Sequence, residues 1–506
     1  MQDSYRPKPG DRIFRPRRIK LPHLRRVLGV PALFSIGYGD VGGSIYYGLG
    51  LVAIVALGAT PIVLMIAGII YTFNALTYAE GSAMMPEGGG SASYARHGFN
   101  DLVGFISGWV LMLSYIVTMS ISAYTIPPYL SYFWPILNEP AMSTTVSIGI
   151  ILFLMVINII GIRESSRLNI FLIGIDITTQ VTLVVLGIVL ILAVNPGVLI
   201  QHMFGAGNWP STQNLVFGIA IAALCFTGVE SVSQQGEETR RPEKRMPQAY
   251  VLMIVVVLVL FAGISIVALS AMTPQVLGDP VNGWARDPIA GIAANLPSDT
   301  LQDIFAPLVA ILAATIMLVS TNAGLLGISR LTYNLSSHHQ LPAPLSRIHH
   351  RFRTPYIGIT LFCLVSIIVL IPGFFTTNFF ADLGALYVFG SLLCFALAHA
   401  AILRLRMKNP ELPRPFKLRW NIKTKGKELP VTAILGLIAT SVIWIIVIIT
   451  QPYSRGVGFG WLAVGLIIYC IYRWKSRLPL THLPKKPGEK GIVDSTTEDY
   501  NTKHPL

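Results

Sequence analysis

The sequence predicts an all-α polytopic membrane protein with twelve transmembrane helices, and three observations carry that prediction. Of the 506 residues, 53% are hydrophobic and only 12% charged, with mean hydropathy +0.61, a balance that excludes an ordinary water-soluble globule. The apolar residues gather into twelve runs, at 30–57, 60–81, 101–134, 143–162, 168–195, 212–238, 248–272, 303–333, 356–372, 377–403, 430–450 and 457–474. Most of these reach the roughly 20 residues that a membrane-spanning helix needs. The charge is also lopsided. With the N-terminus inside, all but Arg286 and Arg455 of the 38 Lys and Arg residues fall on inside segments or at the inner ends of runs, the positive-inside pattern. Both termini are therefore expected on the cytoplasmic side of the cytoplasmic (inner) membrane. The net charge of +14 reads as topology and attraction to anionic membrane lipid, not as a nucleic-acid partner.

Taken in order, residues 1–29 form a basic arm that includes Arg15, Arg17, Arg18 and Lys20. The apolar run after it is too long for a signal peptide, so no cleavage is expected. Residues 30–403 read as a ten-helix core, 404–429 as a basic cytoplasmic loop, and 430–474 as helices 11 and 12. The polar residues 475–506 read as a disordered cytoplasmic tail. The loop from Pro86 to Tyr94 carries dense turn chemistry, with Gly88, Gly89 and Gly90 in succession. Residues 273–302 form the longest outside loop, and 334–355 should include a short interfacial helix. Cys225, Cys363, Cys394 and Cys470 lie in separate apolar runs, without metal or disulfide spacing.

The chain is organised around Gly37-Tyr38-Gly39-Asp40-Val41-Gly42-Gly43-Ser44, inside the first run. Gly costs a helix about 1 kcal/mol relative to Ala, so this stretch predicts a broken first helix whose second half starts near Ser44. Unwound backbone in a membrane is tolerated only against protein or a wet cavity. The sixth run repeats the theme. Apolar residues to Phe226 give way to Thr227-Gly228-Val229-Glu230-Ser231, then to Gln234 and Gln235. The two runs cross in opposite directions, being five apart. Interrupted segments in corresponding places of two halves point to an inverted-repeat transporter with its site at the midplane. The repeats would be about 30–195 and 212–403.

Asp40, Asp176 and Glu230 are the acids well inside runs, and charge there is expensive enough to suggest function. Asp40 and Glu230 lie at the two breaks and should share one cavity. Tyr47, Tyr115, Thr118, Phe226, Thr227 and Tyr387 would complete the pocket, with the backbone of Gly42, Gly43, Ser44 and Gly228. Ser320 and Thr321, in the eighth run, supply hydroxyls for an oxygen-only site that suits an alkali cation better than a transition metal. They and Glu230 are the candidate coupling-ion residues. No P-loop, HExxH or GxSxG triad is present, so the chain predicts no enzyme, no cofactor and no ATP-driven pump.

At these residues the chain resembles the amino acid–polyamine–organocation superfamily of secondary transporters, over about residues 30–475. Gly42-Gly43-Ser44-Ile45-Tyr46 is similar to the family's glycine-rich break in helix 1. Phe226 to Ser231 is similar to its F-x-G-x-E break in helix 6, and Pro86 to Tyr94 to its P-x-G-G-x-Y loop. The resemblance implies a LeuT-type 5+5 inverted repeat with broken helices 1 and 6. It also implies alternating access, with an amino acid, amine or polyamine held at the breaks and imported with protons or sodium. The helix 6 aromatic, here Phe226, would gate the pocket. Gly39-Asp40-Val41-Gly42-x-Ser44 instead resembles the G-D-I-G-x-S segment of potassium uptake permeases. Asp40, Tyr47, Tyr115, Thr118, Thr227, Glu230 and Tyr387 match the potassium-binding pattern of KimA-type importers, although Ser114 stands where those have another acid. The expected partners are thus a small-molecule or cationic substrate, a proton or sodium ion and membrane lipid, in a monomer or homodimer.

Overall fold

The computed structural model describes residues 26–161, 166–226, 228–352, 354–376, 379–418, 420–424 and 427–481. Most of the basic arm, the tail beyond residue 481, and Thr227 lie outside the described residues.

Helix α1 (Val30–Ala56) passes through a 3₁₀ turn, Leu57–Ala59, into α2 (Thr60–Met84). Pro61 stands in the first turn of α2, where a missing N–H costs nothing. Short α3 (Ser91–Gly98) precedes α4 (Asp101–Leu130), which is capped by the Asn100 carbonyl oxygen accepting from Val103 N–H at 3.0 Å. Helix α5 (Pro140–Ile160) ends on Gly161 at φ 77°, a left-handed cap. Helix α6 (Ser166–Gly187) runs on into a π turn, and α7 (Gly197–Phe204) is short. The sixth run is split into α8 (Thr212–Ala222) and α9 (Val229–Ser233). Then come α10 (Pro242–Ala271), α11 (Pro274–Leu277), α12 (Pro288–Ala294), α13 (Asp299–Ser337), α14 (Tyr356–Leu370) and α15 (Phe379–Lys408). A hairpin of β1 (Asn421–Thr424) and β2 (Lys427–Pro430) leads to α16 (Val431–Thr450) and α17 (Pro452–Lys475).

Eleven segments among the described residues are long and apolar enough to cross a membrane. The first, Val30–Met84, contains both α1 and α2, so each of the twelve predicted runs overlaps one of the eleven. Helix α1 is buried without interruption from Gly37 to Ala53, with α6, α8, α9, α10 and α13 around it. Helix α4 packs on α13 and α15, and α2 on α10. The peripheral helices turn large apolar side chains outward, among them Phe153, Val185, Ile368, Ile445 and Ile467. Water would penalise such a surface and lipid does not.

The predicted break in helix 1 is overturned: α1 is helical straight through Gly37–Ser44. Its glycines buy closeness rather than unwinding. A Cβ on Gly37 would lie 2.5 Å from Met253 Sδ, one on Gly39 3.0 Å from Val319, and one on Gly43 2.9 Å from Ser320 Cβ. A helical backbone keeps its own hydrogen bonds inside apolar surroundings, which outweighs the small propensity cost of Gly. Two smaller expectations also change. The segment 334–355 holds a 3₁₀ turn, Ala343–Ser346, rather than an interfacial α-helix. The basic segment 404–429 is not loop throughout, because α15 continues to Lys408 and a β-hairpin follows. Cys470 is exposed, unlike the three buried cysteines.

The ends of the described chain lie on one side. Val27 N–H donates to Glu238 O, Leu28 pairs with Thr239, and Arg473 bonds Asp101 at 2.9 Å. The 273–302 segment packs at the other end of α1. A Cβ on Gly50 would fall 1.9 Å from Ala285 O, so this segment sits directly on α1. Tyr129 donates to Tyr46 O at 2.7 Å, and Arg286 donates to Asn138 O at 3.0 Å.

Burial pushes the carboxyl of Asp287, just before α12, up to about 7, with the neighbouring Arg286 charge pulling the other way. An acid with a raised folded pKa contributes stability that is fully present below its unfolded pKa, near 4, and lost as pH rises through about 7. Asp287→Asn should therefore become progressively more stable than the parent protein between about pH 4 and 7. Paired thermal unfolding curves across that range check it, and a pH-independent difference would contradict the buried-acid account.

Candidate substrate site at the helix break

The break in the sixth run is built from three pieces. Helix α8 tightens into a 3₁₀ turn at Ala223–Phe226, Gly228 adopts φ 92°, and α9 restarts at Val229. Only glycine takes that φ without strain. A Cβ on Gly228 would also lie 2.6 Å from Gly37 O and 3.0 Å from Val41 N, so the break rests on the backbone of α1. Ser44 secures the contact by bonding Val41 O at 2.6 Å and Cys225 O. Gly228→Ala should cost about 1–3 kcal/mol of stability through strain at this φ, read as a lowered unfolding temperature. An unchanged temperature would mean the break can relax away from α1.

This contact sets Asp40 and Glu230 within electrostatic reach of each other. Asp40 is 3% exposed and Glu230 2%. Ser231 Oγ donates to Asp40 Oδ2 at 2.7 Å, whereas Asp40 Oδ1 and Glu230 Oε2 have no hydrogen-bond partner. Although Ser122 lies near Tyr47 and Gln234 near Tyr115, the hydroxyls of Tyr47, Tyr71 and Tyr115 are likewise buried and make no close hydrogen bond. Together with Tyr387 they lie within electrostatic reach of the acids. An unpaired buried polar group costs about 1–3 kcal/mol, so this cluster is a candidate ligand site. Phe226 closes one wall, its ring centroid 5.3 Å from that of Tyr71 and 5.2 Å from that of Phe261.

Other predicted residues are spent on the scaffold. A Cβ on Gly42 would strike the Tyr38 ring at 2.5 Å, so Gly42 makes room for that ring. With α1 unbroken, Gly42, Gly43 and Ser44 offer no unwound backbone, contrary to expectation. Thr118 Oγ1 bonds back to Ser114 O at 3.0 Å. Ser320 Oγ lies 3.1 Å from Ser122 Oγ, and Thr321 bonds back to Met317 O at 2.8 Å. The α1 carbonyls that would join them around a cation are held in the helix, and the described residues contain no acid, His or Cys group set for a metal.

Asp176 is part of a clasp, accepting from Tyr46 at 2.6 Å, Gln180 at 2.8 Å and Tyr38 at 3.2 Å, and so ties α6 to α1. Sequence reasoning passed over Ser231, which orients Asp40, and Tyr71. Ser231 directly follows Glu230, a neighbour relation that could have raised it; Tyr71 left no such signal.

A profile of amino acid permeases matches residues 28–472. The chain belongs to the amino acid permease family. The permease is therefore a membrane transporter and not an enzyme. It is 26% identical to the branched-chain amino acid permease BcaP of Bacillus subtilis, over 89% of this chain and 94% of that protein. It is also 26% identical to the methylthioribose transporter of Bacillus subtilis, over 94% of this chain and 99% of that one. The human cystine/glutamate transporter is 25% identical, over 82% of this chain and 78% of its own length. These relatives bear out the superfamily resemblance and lend no support to the likeness to potassium importers.

Proposed function

We propose that the permease is a secondary-active importer of an amino acid or amine, working by alternating access in a cytoplasmic membrane with both termini inside. The observation that carries this reading is the cluster of unpartnered buried groups around Asp40 and Glu230, where the broken sixth helix meets α1. Two carboxylates that no cationic side chain pairs among the described residues suit the amino end of a substrate. The tyrosine hydroxyls and Phe226 supply a polar rim and an apolar wall. Thr227 and Gly228, at the break itself, would take the substrate's other end.

Twelve crossings in a 5+5 repeat fit the alternation of helices and the opposed directions of the first and sixth runs. The 273–302 segment then closes the outer face. Glu230, buried with one oxygen free, suits proton coupling, while Ser320 and Thr321 would serve sodium if α1 opened in another conformation. A membrane potential negative inside, contributing about 2.3 kcal/mol per charge per 100 mV, would draw a cationic substrate inward.

The test is thermal shift of the purified protein against amino acids, amines, polyamines, sodium, potassium and rubidium, followed by uptake into proteoliposomes. A ligand at a hundredfold excess over Kd adds about 2.7 kcal/mol of apparent stability. Stabilisation and uptake with an amino acid or amine are expected. A response to potassium and rubidium alone would overturn the reading.

A further inference from the structure

Beyond the central site, a cavity of about 70 Å³ lies between α1, α6, α9 and α13, toward the side where the chain begins and ends. Its head is Ser231, whose hydroxyl holds Asp40. Gln234, Gln235 and Arg330 also line it. Gln234 is 3% exposed, its amide making no close hydrogen bond with the Tyr115 hydroxyl nearby, and Gln235 is 5% exposed, with its carbonyl oxygen unpartnered. Arg330 donates through Nη2 to Glu238 at 2.9 Å, while its buried Nη1 has no partner. Burying such groups unsatisfied is costly, so a built cavity offering these donors is suited to a ligand.

We propose that this cavity is a second, exit-side subsite that receives the carboxylate of a departing amino acid on Arg330 Nη1 and the Gln234 amide N–H. The inference rests on the amino acid reading given above and adds a residue set and a direction to it. Val319, which packs against Gly39 beside Asp40, stands eleven residues before Arg330 on α13. At 1.5 Å per residue the two positions are about 16 Å apart along the helix. Val319 and Ser231, beside Asp40, line the same cavity as Arg330, so the two sites adjoin and a substrate leaving Asp40 would meet Arg330 next. The charges order the passage. Asp40 and Glu230 hold the amino group and repel the carboxylate, and the Arg330 guanidinium attracts it, so the substrate leaves carboxylate first. A guanidinium fork suits a carboxylate in geometry as well as charge. The Gln234 and Gln235 carbonyl oxygens are left to accept from the amino group as it follows.

The experiment measures KM at each face of oriented proteoliposomes, for a transported amino acid and for its decarboxylated amine. Arg330→Gln and Gln234→Leu should each raise the amino acid's KM at the exit face about tenfold, the loss expected for one hydrogen bond to a charged group. KM at the entry face should stay as in the parent, as should both KM values for the amine, and Arg330→Lys should recover part of the loss. If Arg330→Gln does not fold, Gln234→Leu carries the comparison. An unchanged exit-face KM overturns the subsite, as does an equal change for the amine, which would mark Arg330 as a structural latch through Glu238. If the parent protein carries no amino acid at all, the amino acid reading falls first and this inference falls with it.

Discussion

Asp40→Asn and Glu230→Gln should each reduce transport at least ten- to a hundredfold while leaving the protein folded. Both side chains are buried and each keeps one carboxylate oxygen without a protein partner. The amides match them in shape, so packing at the helix break survives. What disappears is the negative charge facing the substrate's amino group, and a hydrogen bond to a charged group contributes about 1.5–3 kcal/mol. The Asp40→Asn amide can still accept from Ser231, so α1 and α9 should stay joined. Uptake into proteoliposomes gives the first quantity, and thermal unfolding in detergent the second. Normal transport by both variants would remove the substrate site from this place; unfolding of both would make the acids structural.

The second large effect concerns stability and lies away from the site. Glu80, at the end of α2, has no exposed side-chain surface, and Arg406 of α15 grips it with Nε at 2.7 Å and Nη2 at 2.5 Å. Arg406 also reaches Asn421 of the hairpin at 2.8 Å, and Arg414 Nε stands 3.8 Å from the carboxylate. Arg406→Met would leave Glu80 buried without its fork, and breaking a buried pair on one side costs about 3–5 kcal/mol. We expect a clear fall in unfolding temperature and loss of the hairpin's protection from proteolysis. Adding Glu80→Gln should restore part of the stability, since the stranded charge is then gone. A double variant no better than the single one would place the cost in lost packing instead.

Much of the protein is written along the chain. Hydropathy alone located every apolar run, and Gly228 between apolar and polar stretches marked the break in the sixth. The acids at Asp40 and Glu230 stood out because charge within an apolar run is expensive. The same logic misjudged Gly37–Ser44. A glycine that frees the backbone and a glycine that lets a neighbour approach are one letter, and only the presence of Met253, Val319 and Ser320 against α1 tells them apart. Arg406 likewise counts in sequence as one more basic loop residue, yet it is buried against Glu80, 326 positions away.

The sequence by itself determined that this protein crosses a membrane as helices, that its sixth run is interrupted, and that two acids stand within apolar runs. These follow from hydropathy, propensity and desolvation cost, which act residue by residue or between chain neighbours. Only the tertiary structure decided that the first helix runs unbroken, that Ser231 orients Asp40 from 191 positions away, that Asp176 is a clasp, and that Gln234 and Arg330 line one cavity. Those outcomes depend on which helices come to lie side by side, and packing sets that across the whole chain at once.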